Sequence, residues 1–218
     1  MLKFAISSHI KSYEKTIEKV IPSLIASGIK STDINMYVGG YDTYEDVSNV
    51  YGITLIKVPH NSMDFTALIS ILEMEKVKDM VFLLHDTIFV QDFFYKKILD
   101  KNIGNPSFDT ISMTSDGLSM NMGVYSYEYI KKCEKEIIEM KNTDYSEEGI
   151  QKIKKINVEK EDFLLNKNIS FNTQPRITND ANDFYRTGVA RIVEYFPEIG
   201  LHKIKANWCI KEKYEIGV

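Results

Sequence analysis

Along the first 90 residues, short apolar runs alternate with stretches whose apolar positions recur at helical spacing. Leu2 to His9 reads as a strand. Tyr13, Ile17, Val20 and Leu24, with Ile21 and Ile25 beside them, then mark one face of a helix that Gly28 closes. Pro22 removes a backbone donor inside that helix and should bend or divide it. Ile34 to Val38 reads as a second strand ending in Gly39-Gly40, and Ile53 to Val58 as a third ending at Pro59-His60. Asn61 and Ser62 are placed to cap the next helix, whose Phe65, Leu68, Ile69 and Leu72 share a face. That helix delivers the chain to Met80-Val81-Phe82-Leu83-Leu84, a continuous apolar run suited to a strand buried on both sides. Strand and helix in alternation predict an α/β fold, with a mostly parallel sheet wrapped by helices.

Beyond Asp86 the regularity loosens. A short helix (Phe93, Phe94, Ile98), a strand at Thr110 to Met113, a second near Met120 to Tyr125, and a helix carrying Ile130, Cys133, Ile137 and Met140 are predicted. From Asn142 to Glu159 the chain is mostly polar, with Ile150, Ile153 and Ile156 as the one hint of an amphipathic turn, and it reads as a loop able to close over a ligand. No Pro/Gly-rich linker divides the 218 residues, so one domain is expected, with residues 1–90 and 91–218 as its two halves. A formal net charge of -4 argues against a nucleic-acid partner. The N-terminus runs straight into a strand without a signal core, and no apolar stretch approaches the roughly 20 residues of a membrane helix. A cytoplasmic protein without a transmembrane segment is expected. Cys133 and Cys209 have neither metal-ligand nor disulfide-framework spacing and read as reduced thiols.

In a parallel sheet, ligands bind beyond the carboxyl ends of the strands, where loops and unpaired amides converge. Those ends here are Ser7-Ser8-His9, Gly39-Gly40-Tyr41-Asp42, His60-Asn61-Ser62 and His85-Asp86-Thr87. All are polar, and they hold three of the four histidines. The sharpest is the last, a polar triplet inside the apolar run Leu83 to Val90. A carboxylate there costs several kcal/mol unless paired or bound to a metal, so Asp86 is the leading site residue.

This order of elements resembles the nucleotide-binding half of GT-A glycosyltransferases. The resemblance is strongest from Leu2 to Val90 and thinner towards Asn207. In that family the triplet is Asp-x-Asp and holds a divalent metal against the diphosphate of a sugar nucleotide. Here it is His85-Asp86-Thr87: aligned end to end, both family carboxylates are replaced; slipped by one, Asp86 matches the metal-binding carboxylate and Leu84 replaces the other. The slipped register is preferred. It implies a metal held by Asp86 and a late histidine, His202, with manganese favoured over magnesium because manganese tolerates imidazole. Lys203 and Lys205 share a face of a predicted strand, and either could meet the leaving diphosphate; Lys205 is taken as the candidate. The family's acidic pair at a helix start is matched by Glu161 and Asp162, with Asp162 as the general base towards an acceptor hydroxyl. Met120 to Tyr125 matches the glycine-containing loop that shapes the sugar pocket.

The resemblance thus implies a metal-assisted, inverting transferase. It would carry a sugar from a nucleotide-diphosphate donor, UDP by family habit, to a hydroxyl of a glycan or another acceptor, as in polysaccharide biosynthesis. Ser8, His9, Asp42, Asp64, His85, Asp86 and Lys205 would line the donor site. A nucleotidyltransferase is the nearest rival, but Ser7-Ser8-His9-Ile10-Lys11-Ser12 lacks the glycine-rich loop that cradles a triphosphate. A non-catalytic nucleotide-sugar-binding module is the other.

Overall fold

The computed structural model describes residues 1–48, 51–103, 110–115, 118–160, 170–171, 174–175 and 191–205. Strand β1 (Leu2–His9) leads through helices α1 (Tyr13–Lys19) and α2 (Ile21–Ala26) to β2 (Ile34–Gly39). Next come β3 (Glu45–Ser48), β4 (Thr54–Val58), α3 (Thr66–Met74), β5 (Met80–His85), β6 (Ile88–Val90) and α4 (Phe94–Asp100). They are followed by β7 (Thr110–Ser115), β8 (Leu118–Tyr125), α5 (Tyr127–Lys132), α6 (Glu134–Ile138) and α7 (Glu147–Lys160). The last described strands are β9 (Ser170–Phe171), β10 (Gln174–Pro175), β11 (Arg191–Phe196) and β12 (Leu201–Lys205).

An eight-stranded sheet runs in the order β3-β4-β2-β1-β5-β8-β7-β9, and a four-stranded sheet runs β10-β11-β12-β6. Strands β4, β2, β1 and β5 are parallel neighbours, whereas β3, and β8 with β7, join antiparallel. This is an α/β fold with a mixed, mostly parallel sheet, compatible with a Rossmann-like arrangement. From β1 the chain builds outward to β2 and β4 on one side, then crosses to β5 on the other. The strand order therefore reverses between β1 and β5, which is where open sheets of this kind leave a crevice.

Burial on both faces explains the continuous apolar runs. Every residue of β2 and β5 is buried. Alternate side chains feed separate clusters: Phe4 and Ile6 join Ile21, Leu24, Phe82, Phe94 and Ile98, while Ala5 joins Leu68, Ile71, Leu83, Ile130 and Ile137. The first cluster also contains Ile88, Val90, Phe196 and Leu201, so the small sheet rests on the same core as the large one.

Several elements differ from the sequence expectation for identifiable reasons. The first helix does divide, with α2 starting at Ile21 and Pro22 in its first turn, where a missing N–H costs nothing. Leu83 to Val90 is not one strand: β5 ends at His85, and Asp86-Thr87 turn the chain into β6 of the second sheet. Apolarity on both sides of the triplet conceals the change of sheet. Strand β3 was not expected, because Glu45 and Asp46 give it no apolar face; these charges guard an edge and pair with Lys57 and Lys76. Asn61 and Ser62 do not cap α3 directly, since a 3-10 turn at Met63–Phe65 intervenes.

The polar stretch after Asn142 is not a loose loop. Asn142 is buried, its amide donating to the carbonyls of Asn61 (3.2 Å) and Asp144 (2.8 Å), and Ser146 Oγ accepts from Gly149 N–H at the start of α7. Ile153 and Ile156 then pack against the core beside Met63. Gly123 lies inside β8 rather than in a loop, and a Cβ there would sit 2.5 Å from the Ile111 carbonyl of β7, so the close strand approach excludes a side chain.

Phe82 is fully buried, with ring centroids 5.8 Å from Phe4 and 5.9 Å from Phe94. Phe82→Ala should cost about 3–5 kcal/mol in urea unfolding with an unchanged m-value, and a loss below about 1 kcal/mol would contradict this packing.

Candidate functional site

The register of the central strands assembles the site. Parallel pairing sets Ser7 of β1 against His85 of β5, so the next residues, Ser8 and Asp86, meet on the opposite face. Ser8 Oγ donates to Asp86 Oδ2 at 2.9 Å, and Ser12 Oγ, at the start of α1, reaches the same oxygen at 3.4 Å. Thr16 Oγ1 backs Ser8 at 3.2 Å. Removal from water pushes the Asp86 carboxyl up to about 6; the charge of Lys203 and the hydrogen bonds from Ser8 and Ser12 pull it down, and the Asp64 carboxylate adds to the rise.

Lys203 arrives from the far end of the chain. Antiparallel pairing of β12 with β6 places Leu201 opposite Val90, His202 opposite Phe89 and Lys203 opposite Ile88. Lys203 Nζ donates to His85 Nδ1 and, at 2.8 Å, to Thr87 Oγ1. An ammonium carries only donors, so Nδ1 of His85 accepts, and the proton of the neutral ring sits on Nε2. That nitrogen lies 3.6 Å from Asp64 Oδ2. Asp64 stands in the 3-10 turn after β4, where Ser7 Oγ donates to the Asp64 carbonyl (2.8 Å) and accepts from Ala67 N–H (3.0 Å). Met63, beside it, holds φ 53, a left-handed conformation costly for a side-chain-bearing residue and concentrated at functional sites.

The structure therefore brings Ser8, Asp64, His85 and Asp86 together, and adds Ser12, Thr87 and Lys203. His9 ends β1 with its Nδ1 accepting from Lys11 N–H at 3.2 Å; burial, and then the charge of Lys11, hold its pKa below the ordinary value. Gly40, at φ 97, lies against the His9 ring, where a Cβ would come within 3.0 Å of Nε2. Asp42 is exposed beyond β2; burial, and then the charge of Asp42, raise the phenol of Tyr145. His60 is no part of the crevice: it is fully buried between Ser62 Oγ (3.0 Å) and Ser70 Oγ (3.2 Å), and burial lowers it to about 4.

His202 does not share the turn with Asp86. Adjacent strand residues face opposite sides, and β12 turns Lys203 to the His85-Asp86-Thr87 turn. The His202 ring instead stacks on Tyr195, centroids 4.3 Å apart, with Phe89 at 6.2 Å and the Gln91 amide nitrogen 3.4 Å from its Nε2. Among the described residues no group of three or more His, Cys, Asp or Glu side chains is placed to hold a metal ion. The donor set around the turn, with an ammonium seated on the imidazole and hydroxyl, does not fit a divalent cation. Lys205 closes β12 opposite Arg191, and its side chain lies outside the described residues, as do Glu161 and Asp162. No helix among the described residues is long and apolar enough to cross a membrane.

Ser12 and Thr87 could have been found in the sequence as hydroxyls flanking Ser8 and Asp86. Lys203 and Lys205 share a face of the predicted strand, and only the pairing of β12 with β6, which sets Lys203 opposite Ile88, separates them. No protein-family model matches the chain, nor does any curated protein. Its chemistry is therefore read from the geometry of the crevice.

Two titrations shifted by loss of solvent, at Asp86 and His60, oppose each other. Asp86, raised from 3.8 to about 6, keeps in the folded state a proton that the unfolded chain has lost, so it removes stability as pH rises from about 4 to 6. His60, lowered from 6.5 to about 4, adds stability as pH rises over the same interval, and the lowered His9 acts in the same sense. Asp86→Asn should therefore stabilise the protein at neutral pH by about 1–3 kcal/mol. It should also make the melting temperature climb more steeply with pH between about 4 and 6. A profile parallel to that of the wild type would contradict a desolvated carboxylate.

Proposed function

We propose that the protein is a glycosyltransferase of GT-A type that binds a nucleoside-diphosphate sugar in the crevice between the carboxyl ends of β1 and β5 and passes the sugar to an acceptor hydroxyl. The observation that carries this reading is the Ser8-Asp86-Lys203 constellation at the point where the strand order reverses. A carboxylate, hydroxyls and a fixed ammonium converging there are the groups a sugar nucleotide requires: acceptors for ribose or sugar hydroxyls, and a cation for the diphosphate. His9 and Asp64 border the same crevice, and Asp42 lies exposed beyond β2.

In this reading Asp86 accepts hydrogen bonds from donor hydroxyls, and Ser8 and Ser12 fix the orientation of its carboxylate. The acceptor oxygen forms the new bond to the anomeric carbon while the bond to the phosphate oxygen breaks, its electron pair leaving with the diphosphate. The acceptor proton passes to Asp162, with Glu161 beside it, and displacement from the opposite side inverts the anomeric carbon. UDP is the first nucleotide to test. A divalent metal, manganese first, belongs to the family pattern, but the described donor set does not fit one, and no step here is routed through it.

One observation favours a binding module without turnover. Asp86 and Lys203 are already engaged by neighbours within the protein, as expected of a site that recognises a ligand without activating it.

Isothermal titration with UDP, GDP and CMP, followed by assay of nucleotide release from the matching sugar donor, tests the proposal. One nucleoside diphosphate should bind, Asp86→Ala should abolish binding, and Asp162→Asn should keep binding while lowering turnover by about 10²–10⁴-fold. Binding without turnover for any donor and acceptor moves the module reading to first place; a folded protein that binds no nucleotide defeats both.

A further inference from the structure

We propose that Lys203, seated on His85 and Thr87, takes the place of a divalent metal and is the cation that receives the donor's diphosphate. This rests on the transferase reading above and names how its site handles charge. Aligned end to end with the Asp-x-Asp pattern, the positions where carboxylates would stand are His85 and Thr87. Both accept hydrogen bonds from Lys203 Nζ, across 118 and 116 residues of sequence.

The substitutions and the lysine form one device. Two carboxylates suit a dication, and together they sum to zero charge. An imidazole nitrogen and a hydroxyl are neutral acceptors, and both suit an ammonium, which carries only donors. A metal at the same place would be repelled by the ammonium already seated on His85 and Thr87.

The position of Lys203 is fixed by more than its own contacts. Leu201, two residues earlier on β12, is buried in the core, and the pairing of β12 with β6 begins one residue beyond Thr87. The ammonium is thus held at the turn by the junction of the two sheets. Asp64 lies 3.6 Å from His85 Nε2, close enough for its charge to favour a proton on that nitrogen and leave Nδ1 as the acceptor, and His85 is a positioning residue for Lys203. As the glycosyl-phosphate bond breaks, charge grows on the phosphate oxygen; Lys203 stabilises it by hydrogen bonding and keeps its proton, so no co-reactant is needed.

The test is isothermal titration of the whole protein with UDP, GDP and their monophosphates, first in EDTA and then in manganese. Wild type should bind one diphosphate in EDTA, with little change on adding manganese. Lys203→Met should weaken that binding by about 10–100-fold while weakening monophosphate binding much less, with Lys203→Arg restoring most of it. Thermal melts of each variant confirm folding; should Lys203→Met fail to fold, Lys203→Gln is read in its place. Diphosphate binding that disappears in EDTA, or that Lys203→Met leaves unchanged, overturns the inference while the transferase reading stands. Absence of any diphosphate binding by the wild type overturns both.

Discussion

The parallel pairing of β1 with β5 is the constraint on which the site depends. Because every residue of β5 is buried, its register is fixed from both faces, and a slip of one residue would carry Phe82 and Leu84 out of one cluster and into the other. The same register sets Ser7 beside His85 and Ser8 beside Asp86. Side-chain alternation then divides the chemistry between two faces: the hydroxyls of Ser8, Ser12 and Thr16 gather around Asp86, while Asp64 and Lys203 gather around His85. Core packing, a stability matter, thereby positions polar groups to within hydrogen-bond distance.

Asp86 illustrates the tension this creates. A desolvated carboxylate weakens the fold at neutral pH, and the neighbouring hydroxyls and Lys203 recover only part of the loss. A protein under selection for stability alone would place asparagine or an apolar residue there. A group that costs stability where the strand order reverses is better explained by what it binds than by what it holds together. His60 is the contrasting case: equally polar and more deeply buried, it is satisfied on both ring nitrogens by Ser62 and Ser70, and it serves to pin the turn that carries Asp64.

Much of this architecture was legible in the sequence. The continuous apolar run from Met80 to Leu84 reads as a strand covered on both sides, and Pro22 marks the division of the first helix. What stayed hidden was information held between elements. The turn from β5 into β6 joins two apolar segments, so periodicity cannot reveal that they belong to different sheets. Strand β3 is held by ladder bonds, ion pairs and the single apolar contact of Val47. The segment after Asn142 is polar enough to read as a loop until the bonds of Asn142 and the burial of Ile153 are seen. At the site, Ser8, His85 and Asp86 are visible as strand-end residues and Asp64 as a helix-start carboxylate, whereas the separation of His202 from the turn and the approach of Lys203 depend on one pairing register.

On the proposed transferase reading, that register bears on the two alignments of the triplet. In the slipped alignment Asp86 is the inherited carboxylate, and Thr87 needs no role. In the end-to-end alignment His85 and Thr87 are replacements that must be explained together, and a single lysine contacting both supplies the explanation. Exchanging two carboxylates for two neutral acceptors and a dication for a monocation shifts the charge around the turn by one unit in the positive direction, before Asp86 is counted. Asp86 returns that unit when ionised. The Asp64 carboxylate, 3.6 Å from His85 Nε2, adds a further negative charge beside the turn, so the ammonium of Lys203 offsets carboxylates that folding already brings together.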